Sequence, residues 1–250
     1  MPTGGAPPWD ARPVTRSVIV RDLSALGVRT GSILMVHTRM SAIGWVVGGS
    51  ETVVRAVLDA VGPDGTVMAY AGWEENPGRI PERIRSWPGA ARSPHPEANM
   101  VAVGPRAGWL CSEHDGYDAS DTPLSKLVEA GGQVLMLGAP LGTLTLLHHA
   151  EAVADVANKR RVTYRMPVLE EGETIWRTFE DIETSDPGAF PYAEIVGDED
   201  PFEVIAREAL TAGCGVIGHV GDAESYLFEA RLLVDFAVGW LEARFGSSGR

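Results

Sequence analysis

The segment between residues 32 and 70 constrains the fold of this chain more than any other. Ser32–His37 and Thr66–Tyr70 are short apolar runs of the kind that form buried strands. The residues between them place apolar side chains at helical spacing: Val53, Val54, Val57, Leu58 and Val61. A strand–loop–helix–strand unit joins parallel strands. The sequence therefore predicts an α/β fold with a mainly parallel central sheet flanked by helices.

A second pattern appears beyond residue 160. Residues 161–166 and 174–179 alternate around the acidic turn at 170–173, which predicts an antiparallel hairpin added to the sheet. Residues 72–98 are rich in proline and predict a long surface excursion, a type of segment that often forms a lid. With no repeat or linker, we expect a single domain over residues 1–250, with flexible ends at 1–14 and 246–250.

Composition narrows the function classes. The 250 residues are 44% hydrophobic and 22% charged, as in ordinary globular proteins. No apolar run approaches the ~20 residues that span a bilayer, so we expect a cytoplasmic protein with no membrane partner. The net charge of −13 argues against nucleic-acid binding and suits a cationic substrate, although acidity also serves solubility alone. Cys111 and Cys214 are too few for a disulfide framework.

The sequence pattern that most strongly indicates catalysis is a histidine and a carboxylate three residues apart. His148 and Glu151 follow the strand-like residues 134–138 and lie on one face of the next predicted helix. A histidine at the mouth of a sheet is suited to general base catalysis. The alternative is a histidine that only packs. His149 adds a third possible metal ligand, but the spacing is not that of a zincin, and we expect no metal.

Other segments carry weaker signals. His37 and Thr38 end a predicted strand, and Gly48-Gly49-Ser50 precedes a helix, where backbone N–H groups favour phosphate. Arg92 and Ser93 lie in a proline-rich turn that would be stiff enough to clamp a phosphate. The acidic run at 179–186 would orient an imidazole or hold ammonium groups, or it is simply a solvated loop.

Seven segments, in this order, resemble the aminoglycoside N3-acetyltransferases, a family distinct in fold from the common GNAT acetyltransferases. Coverage runs from about residue 15 to 246. The matching pieces are Met35–Thr38, the GGSETVVRAVLDAVGPDGT segment, Arg92-Ser93 with His95-Pro96, Leu135–Pro140, Leu147–Glu151, Asn158–Tyr164 and Ser225–Ala230.

The resemblance implies transfer of an acetyl group from acetyl-CoA to the 3-amino group of the 2-deoxystreptamine ring of an aminoglycoside, which confers resistance. The family's base falls on His148, oriented by Glu151 or by a carboxylate of the acidic run. His37 is a further catalytic candidate. The expected cofactor contacts are His37, Thr38, Gly48, Gly49, Ser50, Arg92, Ser93 and Thr145. The expected substrate contacts are Tyr70, Trp73, Glu151, Glu180, Asp181 and Asp186, with Asp181 also a catalytic candidate.

Three questions stay open in the sequence. The same fold could acetylate another amine, or bind aminoglycosides without catalysis. No activated serine or cysteine is evident, which favours direct transfer of the acetyl group to the amine, without a covalent acetyl-enzyme. We expect a monomer or a homodimer. The chain also departs from the family between Pro77 and Gly78, where we expect a longer segment with a mobile loop.

Overall fold

The structure is a computed structural model, and it describes residues 12–72, 78–114, 116, 120–156, 159–170, 172–183 and 190–246. The strands are β1 (Ile33–Thr38), β2 (Thr66–Tyr70), β3 (Ala91–Arg92), β4 (Met100–Val103), β5 (Gln133–Leu137), β6 (Arg161–Glu170), β7 (Glu173–Ile182), β8 (Gly215–Val220) and β9 (Ala223–Glu229). The helices are α1 (Arg16–Leu26), α2 (Gly49–Val61), α3 (Arg79–Arg85), α4 (Ala107–Leu110), α5 (Pro123–Glu129), α6 (Leu146–Val153), α7 (Ala193–Val196), α8 (Pro201–Thr211) and α9 (Ala230–Phe245).

Seven of the described strands form one sheet in the order β3-β4-β2-β1-β5-β9-β8, while β6 and β7 form a separate antiparallel pair. The three strands at the centre of the sheet, β2, β1 and β5, run parallel. The outer pairings are antiparallel. The predicted α/β class is confirmed, with parallel strands at the centre, flanking helices and a distinct antiparallel hairpin.

Each face of the sheet is covered by its own hydrophobic layer. Ile33 and Met35 of β1 pack with α5, α6 and α9 on one face. Leu34 and Val36, which alternate with them, pack with α1 and α2 on the other. A strand buried on both faces needs apolar side chains in both directions. This requirement explains the unbroken apolar run that marks β1 in the sequence.

The helix that precedes β2 begins within the Gly48-Gly49-Ser50 segment and not after it. Ser50 is a good N-cap residue by type, but α2 begins at Gly49 and Gly48 is its N-cap. Gly48 adopts φ +86, a left-handed conformation that glycine tolerates best. The turn is closed by the N–H of Gly49, which donates to the carbonyl of Val46 at 3.1 Å. Backbone geometry at this point therefore outweighs the capping preference of serine.

The prediction of a surface excursion at residues 72–98 is wrong for residues 78–98, which are most of that segment. Residues 78–98 contain α3 and the edge strand β3. Ile80 and Ile84, four residues apart on α3, are 2% and 0% exposed, because helical spacing puts both on the face that joins the core. Residues 73–77, including Trp73, lie outside the described residues.

The chain ends also differ in part from expectation. Val14, assigned from the sequence to a flexible end, is 3% exposed and pairs with Val46. Its N–H donates to the carbonyl of Trp45 at 2.8 Å. Residues 12, 13 and 246 of the predicted flexible ends are also described, and Gly246 pairs with Val156. Residues 1–11 and 247–250 fall outside the described part of the chain. None of the described helices is both long and apolar enough to cross a membrane.

Candidate active site

A cleft opens where the carboxyl ends of β1, β2 and β5 meet. Parallel neighbouring strands end at the same edge of a sheet, so the residues that follow them gather there. The cleft has a volume of about 490 Å³. Its lining comes from β1, β2, the turn after β5, α3, α6 and α8: Val36, His37, Thr38, Arg39, Tyr70, Pro81, Ala139, Pro140, Gly142, Thr143, Thr145, His148 and Phe202.

His148 reaches this cleft from the first turn of α6 and is paired with a buried carboxylate. Its Nδ1 atom lies 2.9 Å from Oε2 of Glu151. The His148 side chain is 38% exposed, whereas that of Glu151 is only 3% exposed. A carboxylate accepts the hydrogen bond, so Nδ1 carries the proton and the lone pair of the neutral ring lies on Nε2. The pair predicted from helical spacing is thus brought together, with Glu151 as the partner of the imidazole.

The second oxygen of Glu151 is also bound. The phenol of Tyr192 donates a hydrogen bond to Oε1 of Glu151 at 2.7 Å. Burial, followed by the charge of Glu151, raises the pKa of Tyr192 well above its usual range. The phenol is therefore protonated at all physiological pH values and acts as a permanent donor to the carboxylate.

The remaining contacts hold the imidazole and its helix in place. The ring of Phe202 meets the ring of His148 edge-on, with the centroids 4.9 Å apart. At the other end of α6, Nζ of Lys159 donates to the carbonyls of Ala152 at 2.7 Å and Glu151 at 3.2 Å. A cation at the C-terminal carbonyls of a helix is favourable because it compensates the helix dipole.

His37 and Thr38 are the two polar residues at the end of β1, and both line the cleft. Among the described residues, neither Nε2 of His37 nor Oγ1 of Thr38 has a hydrogen-bond partner, although both atoms are buried. Burial lowers the pKa of His37 to about 4, so its imidazole is neutral at pH 7. Buried polar atoms without partners are uncommon in folded proteins, and a bound ligand is one explanation for them.

A second cleft of about 550 Å³ adjoins the first, and Thr38 lines both. Its walls come from the end of β1, the loop before α2, the start of α2 and the start of α3: Thr38, Met40, Ser41, Gly44, Trp45, Val46, Gly49 and Arg79. Of the predicted Gly48-Gly49-Ser50 phosphate site, Gly49 lines this cleft directly. Helix N–H groups and a guanidinium together are suited to phosphate.

The structure places Arg92 and Ser93 in a different setting. The Ser93 side chain is buried, and its hydroxyl accepts a hydrogen bond from the N–H of Met100 at 2.9 Å. Nε of Arg92 donates to Asn99 at 2.9 Å. Nδ1 of His95 accepts from the N–H of Ala98 at 2.9 Å. This loop is held together internally, and neither Arg92 nor Ser93 belongs to the lining of the two clefts.

The acidic run is only partly described, and its described members do not line either cleft. Glu180 is exposed, and Asp181 is 8% exposed with Oδ1 accepting from the N–H of Ile182 at 2.8 Å. Asp186 lies outside the described residues, as does Trp73. Tyr70 and Thr145, by contrast, line the first cleft.

Four residues that bear on the chemistry of the clefts, three in their linings and one behind Glu151, were not singled out from the sequence. Arg39 and Phe202 line the first cleft, Arg79 lines the second, and Tyr192 supports Glu151 from behind. Arg39 follows directly on His37 and Thr38, so its position at a strand end was a usable signal. For Tyr192 and Phe202, which come from distant parts of the chain, no local sequence pattern points to the site.

Neither cysteine is placed for chemistry. Cys111 and Cys214 are both buried in the core, and burial raises the pKa of Cys111 to about 12. Within the described ranges, no group of three His, Cys, Asp or Glu side chains is arranged to hold a metal ion. The first cleft contains an imidazole aligned by a carboxylate, an arrangement that is typical of enzymes that use general acid–base catalysis.

Comparison with known proteins gives this enzyme class a family. The sequence profile of the aminoglycoside 3-N-acetyltransferase family matches residues 35–77 and 74–242. Aminoglycoside N(3)-acetyltransferase VIII of Streptomyces fradiae is 48% identical, with 94% of each chain covered. Aminoglycoside N(3)-acetyltransferase IX of Micromonospora chalcea is 46% identical, covering 93% of this chain and 95% of the relative. The chain belongs to the aminoglycoside 3-N-acetyltransferase family and is an acyltransferase.

Solved structures agree with this assignment. A crystal structure of aminoglycoside acetyltransferase AAC(3)-Xa has a TM-score of 0.88 at 43% identity, with 94% of each chain covered. The AAC-IIIb complex with CoASH has a TM-score of 0.86 at 38% identity and covers 94% of this chain and 99% of that one. AAC-VIa bound to sisomicin has a TM-score of 0.83 at 35% identity, covering 94% and 100%.

The comparisons also bear on the short segment near Pro77. The alignment with the Micromonospora chalcea relative spans 267 positions, more than the 250 residues of this chain, so the relative carries sequence that this chain lacks. The family profile matches in two pieces that meet at residues 74–77. This junction lies beside Pro77 and Gly78, where the resemblance to the family predicts a longer segment.

Proposed function

We propose that this enzyme transfers an acetyl group from acetyl-CoA to the 3-amino group of 2-deoxystreptamine aminoglycosides, with His148 as general base and without a covalent acetyl-enzyme. The observation that carries the proposal is the hydrogen bond between His148 and the buried Glu151 at the rim of the first cleft. Family membership supports the reaction class, and the pair supplies the proton transfer that N-acetylation requires.

The chemistry follows from the protonation state of the substrate. An amine enters as an ammonium and loses one proton to water before its nitrogen attacks the thioester carbonyl. As the C–N bond forms, Nε2 of His148 takes the remaining surplus proton from nitrogen. The C–S bond then breaks, and the proton passes to the departing thiolate, which leaves as CoA thiol. Glu151 stabilises the imidazolium that exists between these two transfers.

The two adjoining clefts divide between the two substrates. The second cleft, with Gly49 at the start of α2 and with Arg79, suits the phosphates of acetyl-CoA. The first cleft, with His148 and Tyr70, suits the amine substrate. Thr38 lines both clefts, so a pantetheine arm that passes Thr38 would bring the thioester to the amine. This arrangement requires one site for CoA and one for an aminoglycoside. Among the related solved structures, AAC-IIIb is bound to CoASH and AAC-VIa is bound to sisomicin.

His37 has a different role from His148 in this proposal. With its pKa lowered to about 4, His37 is too weak a base to compete for the ammonium proton at pH 7. A neutral imidazole and a hydroxyl are, however, suitable hydrogen-bond donors. We assign His37 and Thr38 to contacts with the thioester or pantetheine arm. Backbone N–H groups or the Thr145 hydroxyl stabilise the oxyanion.

Direct transfer is supported by the setting of the possible nucleophiles. Both cysteines are buried, and burial raises the pKa of each thiol, which disfavours the reactive thiolate. Among the described residues, the lining of the first cleft contains no cysteine or serine. The amine itself is therefore the nucleophile. We further place the enzyme in the cytoplasm, where acetyl-CoA is made, as a monomer or homodimer that binds neither nucleic acid nor membrane.

The test is release of CoA thiol, followed with a chromogenic thiol reagent. Acetyl-CoA is supplied with gentamicin, with apramycin or with no acceptor, and the product is located by NMR of the acetylated ring. We expect turnover that depends on the antibiotic and modifies the 3-amino group. His148→Ala should lower kcat by at least about 10² while leaving acetyl-CoA binding nearly unchanged.

The matched control is His219→Ala, which removes an exposed histidine of β8 that lies in neither cleft. This variant should retain wild-type kcat. Full activity in His148→Ala would remove the base assignment. Acetyl-CoA binding without turnover of any aminoglycoside would instead point to another amine as substrate, and aminoglycoside binding without acetyl-CoA binding would point to a sequestering protein.

A further inference from the structure

We propose that Tyr192 is a positioning residue that sets the proton affinity of the His148–Glu151 pair by donating its phenolic hydrogen to Glu151. The inference rests on the proposed function, because it extends the role assigned to His148. It adds Tyr192 as a third side chain to the His148–Glu151 pair, although Tyr192 lies about forty residues further along the chain. Tyr192 acts through Glu151 and is not in the lining of either cleft.

The two carboxylate oxygens of Glu151 form hydrogen bonds with two different side chains. Oε2 lies 2.9 Å from Nδ1 of His148, and Oε1 accepts from the Tyr192 hydroxyl at 2.7 Å. With its side chain 3% exposed, Glu151 has little water to replace a lost donor. The carboxylate therefore cannot turn toward solvent without breaking both hydrogen bonds, and its plane is fixed relative to the imidazole.

The position of the Tyr192 ring is itself determined by aromatic packing. The ring stacks on Phe190 with centroids 5.7 Å apart, and it meets Phe245 of α9 edge-on at 5.6 Å. Trp240, also on α9, lies at 6.4 Å. Such contacts hold a ring by its faces and edge and do not involve the hydroxyl. Replacement by phenylalanine therefore removes the hydrogen bond and keeps the packing.

The electrostatic consequence has a definite sign. A hydrogen bond donated to a carboxylate spreads its negative charge and weakens its attraction for a proton. Without the Tyr192 donor, the Glu151 charge acts more strongly on the imidazole, and the pair retains a proton to higher pH. An enzyme whose base is already protonated cannot accept the proton of the amine. Tyr192 thus weakens the hold of the pair on a proton.

The experiment is a pH profile of kcat for the full-length wild-type enzyme and Tyr192→Phe, with gentamicin and acetyl-CoA. We expect the acidic limb to move up by about one pH unit, the size expected for one hydrogen bond to a charged group. At pH values below the acidic limb, kcat of Tyr192→Phe is about tenfold lower than that of the wild type at the same pH. Near pH 9 the two kcat values are the same. KM values for both substrates stay unchanged, because the phenol touches neither cleft.

Tyr226→Phe is the matched control. It also removes a phenol that donates to a glutamate, here the exposed Glu224 on β9, away from the first cleft. Its profile should coincide with that of the wild type. A loss of kcat in Tyr192→Phe that is equal at every pH, or an unchanged profile, would overturn the proposal, since a merely structural role predicts no movement of the limb.

A second readout does not depend on catalysis. Titration of the His148 ring nitrogens by ¹⁵N NMR, without substrates, should show the midpoint in Tyr192→Phe about one pH unit higher than in the wild type. If no aminoglycoside is acetylated while this midpoint moves, the proposed substrate fails and the role of Tyr192 stands. An unmoved midpoint would remove that role whatever the substrate.

Discussion

Glu151 lies three residues after His148 on α6, and its Oε2 atom is 2.9 Å from the Nδ1 atom of that histidine. The two side chains differ sharply in exposure, 38% for His148 and 3% for Glu151. The imidazole therefore faces the cleft while the carboxylate stays away from water. A carboxylate in this setting acts through charge as well as through orientation, and the two effects can be separated by substitution.

Glu151→Gln keeps the shape of the side chain and removes its charge. We expect kcat to fall by about 10² to 10⁴, because an amide can stabilise the wrong imidazole tautomer and cannot balance an imidazolium. KM should change little. Steady-state thiol release measures both values. Glu129→Gln, an exposed charge on α5, is the control, and equal activity of both variants would contradict a role for the Glu151 charge.

Arg79→Ala tests the use of the second cleft. Arg79 is the basic side chain in the lining of that cleft, and loss of one charge-assisted phosphate contact should raise KM for acetyl-CoA about tenfold, equivalent to ~1.4 kcal/mol. KM for the aminoglycoside should not change. The control is Arg83→Ala, an exposed arginine of the same helix. An effect on the aminoglycoside KM alone would reverse the assignment of the two clefts.

The imidazole of His37, whose Nε2 atom is buried, predicts an acid sensitivity of the fold. Its pKa is lowered from 6.5 to about 4 by burial, so between these values the unfolded chain binds a proton that the folded chain excludes. Stability from this source is complete above pH 6.5 and is lost as pH falls toward 4. Between pH 7 and pH 5, the free energy of unfolding should drop by about 2 kcal/mol more in the wild type than in His37→Asn.

Urea unfolding at the two pH values measures this difference. His219→Asn, which removes an exposed histidine of β8, should keep the wild-type pH dependence. Parallel pH dependences for wild type and His37→Asn would show that His37 is protonated as readily in the folded protein as in the unfolded chain.

Gly138 and Gly131 form a natural pair for testing close packing beside the cleft. Their φ values are +63 and +61, so an alanine at either site carries similar backbone strain. A Cβ at Gly138 would lie 2.6 Å from Cβ of Ala42, whereas a Cβ at Gly131 meets nothing within 4 Å. Gly131→Ala should cost about 1 kcal/mol of stability and Gly138→Ala about 2–4 kcal/mol. Equal losses in urea unfolding would show that the turn after β5 moves freely.

Much of the parallel centre of the fold was visible in the sequence, because its signals are local. The apolar run of β1 and the helical spacing in α2 reflect burial of neighbouring residues. The hairpin of β6 and β7 is likewise a local structure, with an alternating pattern around its turn. The pairing of His148 with Glu151 follows from helical geometry alone, since residues three apart share a face.

Contacts between distant segments were decided only by the tertiary structure. The antiparallel strand β9 pairs with β5, joining Gln133 to Glu229, and nothing in either segment specifies that partner. The same holds for Tyr192, which reaches Glu151 across forty-one positions of sequence. The Arg92–Ser93 segment is the converse case, in which residue types suited to phosphate form hydrogen bonds within the protein instead. Sequence periodicity records which face of an element is buried, whereas the choice of partner depends on the packing of the whole chain.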